Sequence, residues 1–413
     1  MAKAPRTSPH EGKPRLRILI GADTFWPEIN GAASFIARLA AGLSARGHEV
    51  HIAAPSYSNT KLGPRVEEHE GQKMTVHRIY SWRWYPHPWL RFSLPWRIKQ
   101  NSAKILDLVQ PDVVHFQSHI IIGRGMTLEG AKRGIRLIGT NHTMPENLLE
   151  YTAILPNFVK PKAVQMAWDA ADRSFSRAER VTAPTQRAAS YLELHTSVRN
   201  VLAISCGLDT HNYTPNMEVP KENLIVFLGR IVTEKHLDRL IRAFATLDPK
   251  LDARLELVGG GDQEASLKRL ASSLGVSNRV KFTGYVDDKY LRGALTRAKV
   301  FAMPSIAELQ SISTMEAMAS GLPIVGADAM ALPHLIHVGE NGFLFEPGNV
   351  KDLAEKLTTI LAMPDAELMK FKEESLRIVA AHDIQNTLDT FESLYRGEPV
   401  SEGVGTPLSF GKS

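Results

Sequence analysis

Residues 300–326 read VFAMPSIAELQSISTMEAMASGLPIVG, and this stretch decides the fold. Val300–Met303 is a short apolar run typical of a buried strand, and Thr314–Ser320 has the spacing of apolar residues found in helices. Pro323–Gly326 is a second apolar run. Strand, loop, helix and strand in this order are the building block of a parallel, doubly wound sheet. The stretch therefore predicts an α/β protein.

The same pattern extends from this stretch toward both ends of the chain. Around it, we predict three more strands and three more helices: strands Leu224–Leu228, Leu255–Val258 and Val280–Thr283, and helices Leu237–Ala245, Glu264–Leu274 and Tyr290–Arg297. A separate series lies nearer the N-terminus: strands Arg17–Ile20, His48–Ala54, Met74–Ile79, Val113–His115, Arg136–Thr140 and Arg180–Ala183, with a helix over Ala32–Arg46. A chain of 413 residues is too long for one ordinary core. Two doubly wound, Rossmann-like domains are therefore expected, facing a cleft.

The predicted division of the chain follows the two series. We expect a disordered tail over 1–14, an N-terminal acceptor-binding domain over 15–208, a C-terminal donor domain over 209–383, a C-terminal helix over 384–398 that could cross back to the first domain, and a disordered tail over 399–413.

Composition excludes several classes of protein. The 49 Lys and Arg residues nearly balance the 44 Asp and Glu residues, and a net charge of +5 is too mild for a dedicated nucleic-acid binder. Cys206 is the only cysteine, so no intramolecular disulfide can form. The first fourteen residues lack the apolar core of a signal peptide, and no apolar run is long enough for a transmembrane helix. These features predict a cytoplasmic protein.

Two glutamates in the opening stretch carry candidate chemistry. Glu308 lies on the loop before the helix, and Glu316 lies about two helical turns inside it. The free amides at the helix start, near Ser311 and Ile312, form an anion site suited to a diphosphate. Carboxylates on either side of that site could accept hydrogen bonds from sugar hydroxyls. The alternative of an ordinary helix charge fits poorly with the pattern Pro-Ser-x-x-Glu-x7-Glu-Ala-x-Ala-x-Gly-x-Pro.

Cationic and glycine-rich segments follow two neighbouring strands. Arg230 comes directly after Leu224–Leu228 and Gly229, and Lys235 precedes the next helix. Both cations are well placed to hold a diphosphate, although an exposed helix start would look the same. The glycines at 259–261 could let the backbone approach a ligand, or could form a plain turn.

The Glu308 to Glu316 stretch resembles the Glu-x7-Glu signature of the retaining glycosyltransferases of family 4, which have the GT-B fold. The resemblance covers roughly Arg15 to Arg396. It implies that Glu308 contacts the transferred sugar, that Glu316 contacts the nucleotide ribose, and that Arg230 and Lys235 hold the diphosphate. Ser311 and Ile312 join this donor site.

Further segments carry the resemblance. The Pro27–Gly31 loop matches a family loop and adds Gly31 to the donor site. The entry to the second domain, residues 205–209, has Cys206 where the family more often has Asn. His119 matches a family histidine near the reacting sugar, which implies a catalytic role, although a lone histidine is more often structural. His142 is a weaker candidate for the same cleft.

Neither a metal nor a cofactor is expected. The sequence has no Asp-x-Asp pair to hold a nucleotide-bound divalent cation. Cationic side chains and helix dipoles would instead stabilise the leaving diphosphate. The resemblance implies front-face attack on the sugar, assisted by the leaving phosphate. It also implies that the nucleotide sugar is a substrate and not a bound cofactor.

Residues 82–99 hold four of the six tryptophans: Trp82, Trp84, Trp89 and Trp96. Indole rings favour the bilayer interface, and basic residues such as Arg91 are attracted to anionic headgroups. We therefore expect an acceptor-binding or membrane-binding segment and peripheral association with the inner face of the cell membrane. The alternative is a loop whose aromatic rings pack in the core.

The finer resemblance is to actinobacterial α-mannosyltransferases that act on lipid acceptors, carried by residues 307–311 and 328–334. It implies GDP-mannose as donor and a phosphatidylinositol or glucuronosyl-diacylglycerol glycolipid as acceptor. A UDP-sugar-dependent glucosyltransferase acting on diacylglycerol is the alternative. A nicotinamide-dependent dehydrogenase is disfavoured because Ile20 is followed by Gly-Ala-Asp-Thr-Phe-Trp and not by Gly-x-Gly-x-x-Gly. A non-catalytic sugar- or lipid-binding protein is distinguished by an absence of donor hydrolysis.

Overall fold

The structure is a computed structural model that describes residues 10–28, 30–83, 91–145 and 159–400. The described chain forms two compact units. The first unit contains the residues up to Gly207 and those from Ile384 onward, and the second contains Leu208–Asp383.

An eight-stranded sheet forms the centre of the first unit. Its strands are β1 (Arg17–Gly21), β2 (Glu49–Pro55), β3 (Gly63–His69), β4 (Gln72–Ile79), β7 (Val113–Phe116), β8 (Arg136–Thr140), β9 (Arg180–Ala183) and β10 (Leu202–Ala203). They lie in the order β10-β9-β8-β7-β1-β2-β4-β3, and only β3 runs antiparallel to its neighbour. Two further strands, β5 (Ser81–Arg83) and β6 (Arg91–Ser93), form a separate antiparallel pair. The helices that the described residues form before position 208 are α1 (Gly31–Ala45), α2 (Ile98–Val109), α3 (Ile122–Lys132), α4 (Lys160–Phe175) and α5 (Gln186–His195).

The second unit is built on a six-stranded, fully parallel sheet. Its strands are β11 (Leu224–Leu228), β12 (Arg254–Val258), β13 (Val280–Phe282), β14 (Val300–Met303), β15 (Ile324–Ala327) and β16 (Gly342–Phe345), in the order β13-β12-β11-β14-β15-β16. Its helices are α6 (Leu237–Ala245), α7 (Glu264–Ser273), α8 (Asp288–Arg297), α9 (Ile312–Ala319), α10 (Leu332–Leu335), α11 (Val350–Leu361) and α12 (Asp365–Ala380).

Burial explains why the central strands have no polar alternation. Every residue of β11 and β14 is buried, because helices cover both faces of a parallel sheet. The prediction of two doubly wound α/β sheets is confirmed.

The last helix, α13 (Ile384–Arg396), belongs to the first unit. Arg46 forms ion pairs with Asp389 (2.8 Å) and Glu392 (3.1 Å) of this helix. The Tyr395 hydroxyl of the same helix lies 2.6 Å from Nδ1 of His115, a residue of β7. The helix thus returns to the first unit and packs against residues from the first half of the chain.

Residues 10–14 correct the prediction of a disordered tail over 1–14. His10 is buried, and its Nε2 lies 3.0 Å from Ser393 Oγ of α13. Lys13 forms a 2.6 Å ion pair with Glu398. These polar residues are ordered by partners about 380 positions away along the chain, which no local pattern reveals.

The sheet orders locate where ligands bind in such folds. In the first unit the chain passes from β1 to β2 on one side, and β7 returns to the other side of β1. In the second unit β12 and β14 flank β11 in the same way. Loops at the carboxyl ends of β1 and β7, and of β11 and β14, therefore border the crevices where doubly wound sheets bind ligands. Among the described helices, none is long and apolar enough to cross a membrane.

Candidate active site

Lys235 and Glu308 meet at the switch point of the second unit. Lys235 ends a short 3-10 turn after β11, and Glu308 lies on the loop after β14. The Lys235 ammonium donates a hydrogen bond to Glu308 Oε1, and both side chains are mostly buried. Burial alone would raise the pKa of Glu308, but the nearby Lys235 charge and hydrogen bond, together with Ser305 and Arg230, lower it below its ordinary value. Glu308 is therefore an ionised carboxylate at neutral pH.

Arg230 lies beside this ion pair. Its guanidinium donates a 3.0 Å hydrogen bond to Glu234, and about a third of its side chain is exposed. The positive charge of Arg230 also contributes to the lowered pKa of Glu308. Two cations and two carboxylates therefore lie at this edge of the sheet, and the partly exposed guanidinium of Arg230 is the cation accessible to an anion.

The start of α9 continues the same edge. Ser311 precedes the helix with a left-handed backbone (φ 64°), and its carbonyl accepts hydrogen bonds from the Thr314 and Met315 amides. Its hydroxyl lies 2.7 Å from Thr314 Oγ1 and caps no amide of the helix. The amides of Ile312 and Ser313 come before these bonds and point out of the helix N-terminus.

Two more residues with strained backbones lie near this edge. His236, directly after Lys235, and Met330 also have left-handed backbones (φ 49° and 48°). The Ala331 amide, next to Met330, donates a 3.0 Å hydrogen bond to the Glu308 carbonyl. Such conformations cost energy in residues other than glycine, and they are frequent at functional sites.

Glu316 has a partner that the sequence did not indicate. The Tyr213 hydroxyl donates a 2.8 Å hydrogen bond to Glu316 Oε1 across 103 positions of the chain. The Arg292 guanidinium lies over the Tyr213 ring, 5.6 Å from its centre. Tyr213 therefore fixes the orientation of this carboxylate.

The glycine-rich segment after β12 has a structural explanation. A Cβ on Gly259 would lie 2.0 Å from the Gly229 carbonyl oxygen, and one on Gly261 would lie 2.0 Å from that of Ile231. These glycines let the loops after β11 and β12 pass backbone against backbone. The alternative of a plain structural turn accounts for them.

In the first unit, Asp23 organises the corresponding edge. Its carboxylate accepts hydrogen bonds from the Ser118 hydroxyl and from the first amides of α3, the closest being the Ile122 amide at 2.7 Å. Burial raises the pKa of Asp23 in spite of these bonds. The start of α3 is therefore already occupied by a side chain of the protein, and the loop that carries His119 is tied to the loop after β1.

His119 is buried beside the Phe175 ring, 5.9 Å away between ring centres. Burial lowers its pKa to about 4, and its Nδ1 has no hydrogen-bond partner among the described residues. His142 is half-buried, desolvation lowers its pKa to about 4, and its Nε2 lies 2.7 Å from Gln117 Oε1. Both imidazoles are neutral at neutral pH.

Gly31 is the first residue of α1 and is exposed. Asn30 caps this helix, because its Oδ1 accepts a 2.9 Å hydrogen bond from the Ala33 amide. Asn30 Nδ2 donates to Thr24 Oγ1 (2.7 Å) and Glu28 Oε1 (3.2 Å). The turn that presents Gly31 is thus fixed by its own side chains.

Both units match models of known families. Residues 29–212 match Glycosyltransferase Family 4, and residues 214–376 match Glycosyl transferases group 1. The chain belongs to the GT-B glycosyltransferases.

Relatives of this glycosyltransferase agree with the assignment. It is 28% identical over 343 residues to a GDP-mannose-dependent alpha-mannosyltransferase of Mycolicibacterium smegmatis, covering 80% of this chain and 84% of that protein. It is 26% identical over 364 residues to a GDP-mannose-dependent alpha-(1-6)-phosphatidylinositol dimannoside mannosyltransferase of Mycobacterium tuberculosis, covering 85% and 89%. The crystal structure of Anabaena HepE with UDP-glucose superimposes with a TM-score of 0.72 at 20% identity, covering 93% of this chain and all of that one. The GT-B fold expected from the sequence is confirmed.

The aromatic and basic segment of the glycosyltransferase is partly described. Trp84 and Trp89 lie outside the described residues. Trp82 and Trp96 are 55% and 70% exposed, with ring centres 6.1 Å apart, so they are not core residues. Arg91 is half-buried, because its guanidinium lies 4.8 Å from the Tyr57 ring centre and donates to the Ser56 carbonyl at 3.1 Å. We call the exposed set Trp82, Arg83, Trp96, Arg97 and Lys99 the aromatic–basic surface.

Within the described residues of the glycosyltransferase, one group of side chains has the composition of a metal site: His337, Glu340 and Glu374. Arg377 donates hydrogen bonds from Nε and Nη2 to the two carboxylate oxygens of Glu374, and these bonds lower the pKa of the Glu374 carboxyl. This neutralised carboxylate makes the group an ion-pair cluster, with no observation that points to a bound cation.

Sequence reasoning missed Tyr213 in the second unit of this glycosyltransferase and Asp23 in the first. Tyr213 reaches Glu316, and Asp23 reaches the loop of His119, only through tertiary contacts. Asp23 lies two residues after the end of β1, and a polar residue at the carboxyl end of a parallel strand is a signal that could have identified it.

Proposed function

We propose that this glycosyltransferase transfers an α-mannosyl group from GDP-mannose to a membrane glycolipid of the phosphatidylinositol or glucuronosyl-diacylglycerol type, with retention of configuration. The ion pair between Lys235 and Glu308 at the switch point of the second unit carries the proposal. The GDP-mannose dependence of the two mycobacterial relatives supports the choice of donor, and the phosphatidylinositol dimannoside on which the second one acts supports the choice of acceptor.

The donor diphosphate would bind between Arg230, Lys235 and the start of α9. A diphosphate needs cations and amide donors, and this edge has both. In the structure the Lys235 ammonium forms an ion pair with the Glu308 carboxylate. An arriving diphosphate would add a second anion on the other side of the ammonium, so Lys235 would join the sugar-binding carboxylate to the leaving group.

Glu308 would accept hydrogen bonds from hydroxyls of the transferred sugar. Its lowered pKa keeps it ionised, which makes it an acceptor and not a proton donor. Glu316, oriented by Tyr213, would accept from the ribose hydroxyls. The protein would then contribute positioning and charge stabilisation, while the departing phosphate would assist attack on the same face of the sugar.

His119 would contact the reacting sugar as a neutral imidazole. With a pKa of about 4, it is not a proton donor at neutral pH. Its Nδ1, buried without a partner among the described residues, remains available for a hydrogen bond with a substrate hydroxyl.

The acceptor would be reached at a lipid surface through the aromatic–basic surface. Two exposed indoles beside Arg83, Arg97 and Lys99 combine the two features that favour an anionic interface. The glycosyltransferase would then associate peripherally with the cytoplasmic face of the membrane.

A donor panel tests this function directly. GDP-mannose, UDP-glucose and UDP-glucuronate are each incubated with the protein and with total membrane lipid, and products are identified by mass spectrometry. Mannosylated lipid from GDP-mannose is the expected result. Glucosylated lipid from UDP-glucose would establish the alternative donor, and an absence of both transfer and donor hydrolysis would indicate a binding protein. Glu308→Gln, which preserves side-chain shape, is the matched control with reduced turnover.

A further inference from the structure

A continuous chain of contacts joins the aromatic–basic surface to the start of α1. It begins at the β5–β6 pair, where Arg83 lies opposite Arg91 in the register. Arg91 packs over the Tyr57 ring, and both Arg91 and the Ser81 hydroxyl (2.6 Å) donate to the Ser56 carbonyl. The strand pair and the Ser56–Tyr57 segment are therefore held together from two sides.

The series of contacts continues through the two carboxylate oxygens of Glu28. The Tyr57 hydroxyl donates a 2.8 Å hydrogen bond to Glu28 Oε2. Glu28 Oε1 accepts from Asn30 Nδ2 at 3.2 Å, and Asn30 Oδ1 caps α1 at the Ala33 amide. Burial, followed by the adjacent Glu28 charge, raises the pKa of Tyr57, so its hydroxyl stays protonated and remains a donor.

We propose that Tyr57 and Glu28 are positioning residues that couple lipid binding at the aromatic–basic surface to the Asn30–Gly31 turn. Lipid binding would hold this turn in the conformation that binds the nucleotide-sugar donor. This inference rests on the proposed function, because it takes Gly31 as part of the donor site and lipid as the partner of the surface. Every link lies within the first unit.

The physical basis is restriction of the last part of the β1–α1 loop, which follows the fully buried Phe25. Asp23 ties the beginning of the β1–α1 loop to α3, and Asn30 ties its end to α1. Glu28 is the residue of this loop that contacts Tyr57, and Arg91 packs on the Tyr57 ring. Immobilising the β5–β6 pair on lipid reduces the motion of Ser56 and Tyr57, and the Tyr57–Glu28 hydrogen bond extends that restriction to the turn. A series of contacts does not by itself demonstrate energetic coupling, so the coupling between the surface and the turn has to be measured.

The experiment compares donor hydrolysis with and without vesicles of phosphatidylglycerol and phosphatidylcholine, for wild type, Tyr57→Phe and Glu28→Gln. In the wild type, vesicles should lower KM for GDP-mannose by about tenfold, the scale of one hydrogen bond to a charged group. Tyr57→Phe should cosediment with vesicles as the wild type does, yet show no vesicle-dependent fall in KM. Glu28→Gln, which loses one of two acceptor oxygens, should behave like Tyr57→Phe.

Tyr290→Phe is the matched control, because it removes a tyrosine hydroxyl bonded to Glu256 (2.5 Å) in the second unit. It should retain the full vesicle effect, and melting temperatures of all variants exclude a folding defect. The coupling is overturned if Tyr57→Phe responds to vesicles like wild type, or if wild type binds vesicles with no change in KM. An absence of vesicle binding, or of hydrolysis of any donor, overturns the proposed function itself and the coupling with it.

Discussion

Lys235 and Glu308 form a mostly buried ion pair across 73 positions of the chain. The pair joins the loops after β11 and β14, the two strands that border the switch point of the second unit. Because each residue compensates the charge of the other, changing either one alters binding, turnover and stability in different proportions. This difference makes their roles separable.

Glu308→Gln should reduce turnover strongly while nucleoside diphosphate binding is retained. The amide keeps the side-chain shape but loses charge-assisted hydrogen bonds, worth about 1.5–3 kcal/mol. That loss corresponds to a fall of about tenfold to a hundredfold in kcat. Steady-state kinetics and GDP calorimetry measure the two quantities. Wild-type turnover in this variant would remove Glu308 from the donor site.

Lys235→Met should weaken GDP binding and destabilise the second unit. The substitution leaves the buried Glu308 charge unpaired, which costs up to about 3–5 kcal/mol in such pairs. Adding Glu308→Gln in the same chain should recover much of the stability but not the GDP affinity. Urea unfolding and calorimetry on both single variants and the double variant give the coupling energy. If the double variant is no more stable than Lys235→Met, the pair does not stabilise the fold.

Acid should weaken the wild type more than Glu308→Gln. The folded-state pKa of Glu308 is below its ordinary value of 4.5, so its contribution to stability is present above that value. The contribution is lost as pH falls through the lower folded-state pKa. Free energies of unfolding, measured at neutral pH and stepwise below 4.5, should therefore converge for the two proteins. Parallel curves would contradict a lowered pKa.

His119→Gln should lower kcat without moving the pH profile of turnover. Burial lowers the His119 pKa to about 4, so the imidazole does not titrate between about pH 5.5 and 8. The profiles of wild type and variant, recorded over that range, should differ in height alone. A limb near pH 6.5 that disappears in the variant would mean that His119 acts as an acid or a base.

Turnover should survive chelation of divalent metals. Arg230 and Lys235 supply positive charge at the proposed diphosphate site, and the sequence has no Asp-x-Asp pair. Activity in excess EDTA is compared with activity after magnesium is restored. Complete loss in EDTA with full recovery in magnesium would refute metal independence.

Replacing Trp82, Trp96 and Arg97 together by Ala should reduce binding to anionic vesicles. Each basic residue near such a surface contributes about 1 kcal/mol, and raised salt should reproduce part of the loss. Cosedimentation with vesicles is measured beside donor hydrolysis without lipid. The control replaces Met166 and Leu194, two exposed apolar residues of the same unit, by Ala. Equal binding by the triple variant and the control would leave the exposed indoles without a lipid role.

The sequence predicted the central strands because their signal is local. Leu224–Leu228, Arg136–Thr140 and Val300–Met303 match their predicted bounds, since buried parallel strands are continuous apolar runs. The edge strand β3 was missed because its exposed residues are largely polar, and the short β16 was also missed. The Glu-x7-Glu spacing likewise identified the family, because it is contained in a single loop and helix.

Tertiary structure alone decided which distant groups share an environment. The pairing of Lys235 with Glu308, the hydrogen bond from Tyr213 to Glu316, and the packing of His10 against α13 join residues that are far apart in the chain. Their protonation and orientation depend on burial and on partners brought together by the order of the strands. Sequence determined the elements and the chemical groups of this glycosyltransferase, whereas the folded sheets determined which groups are close enough to interact.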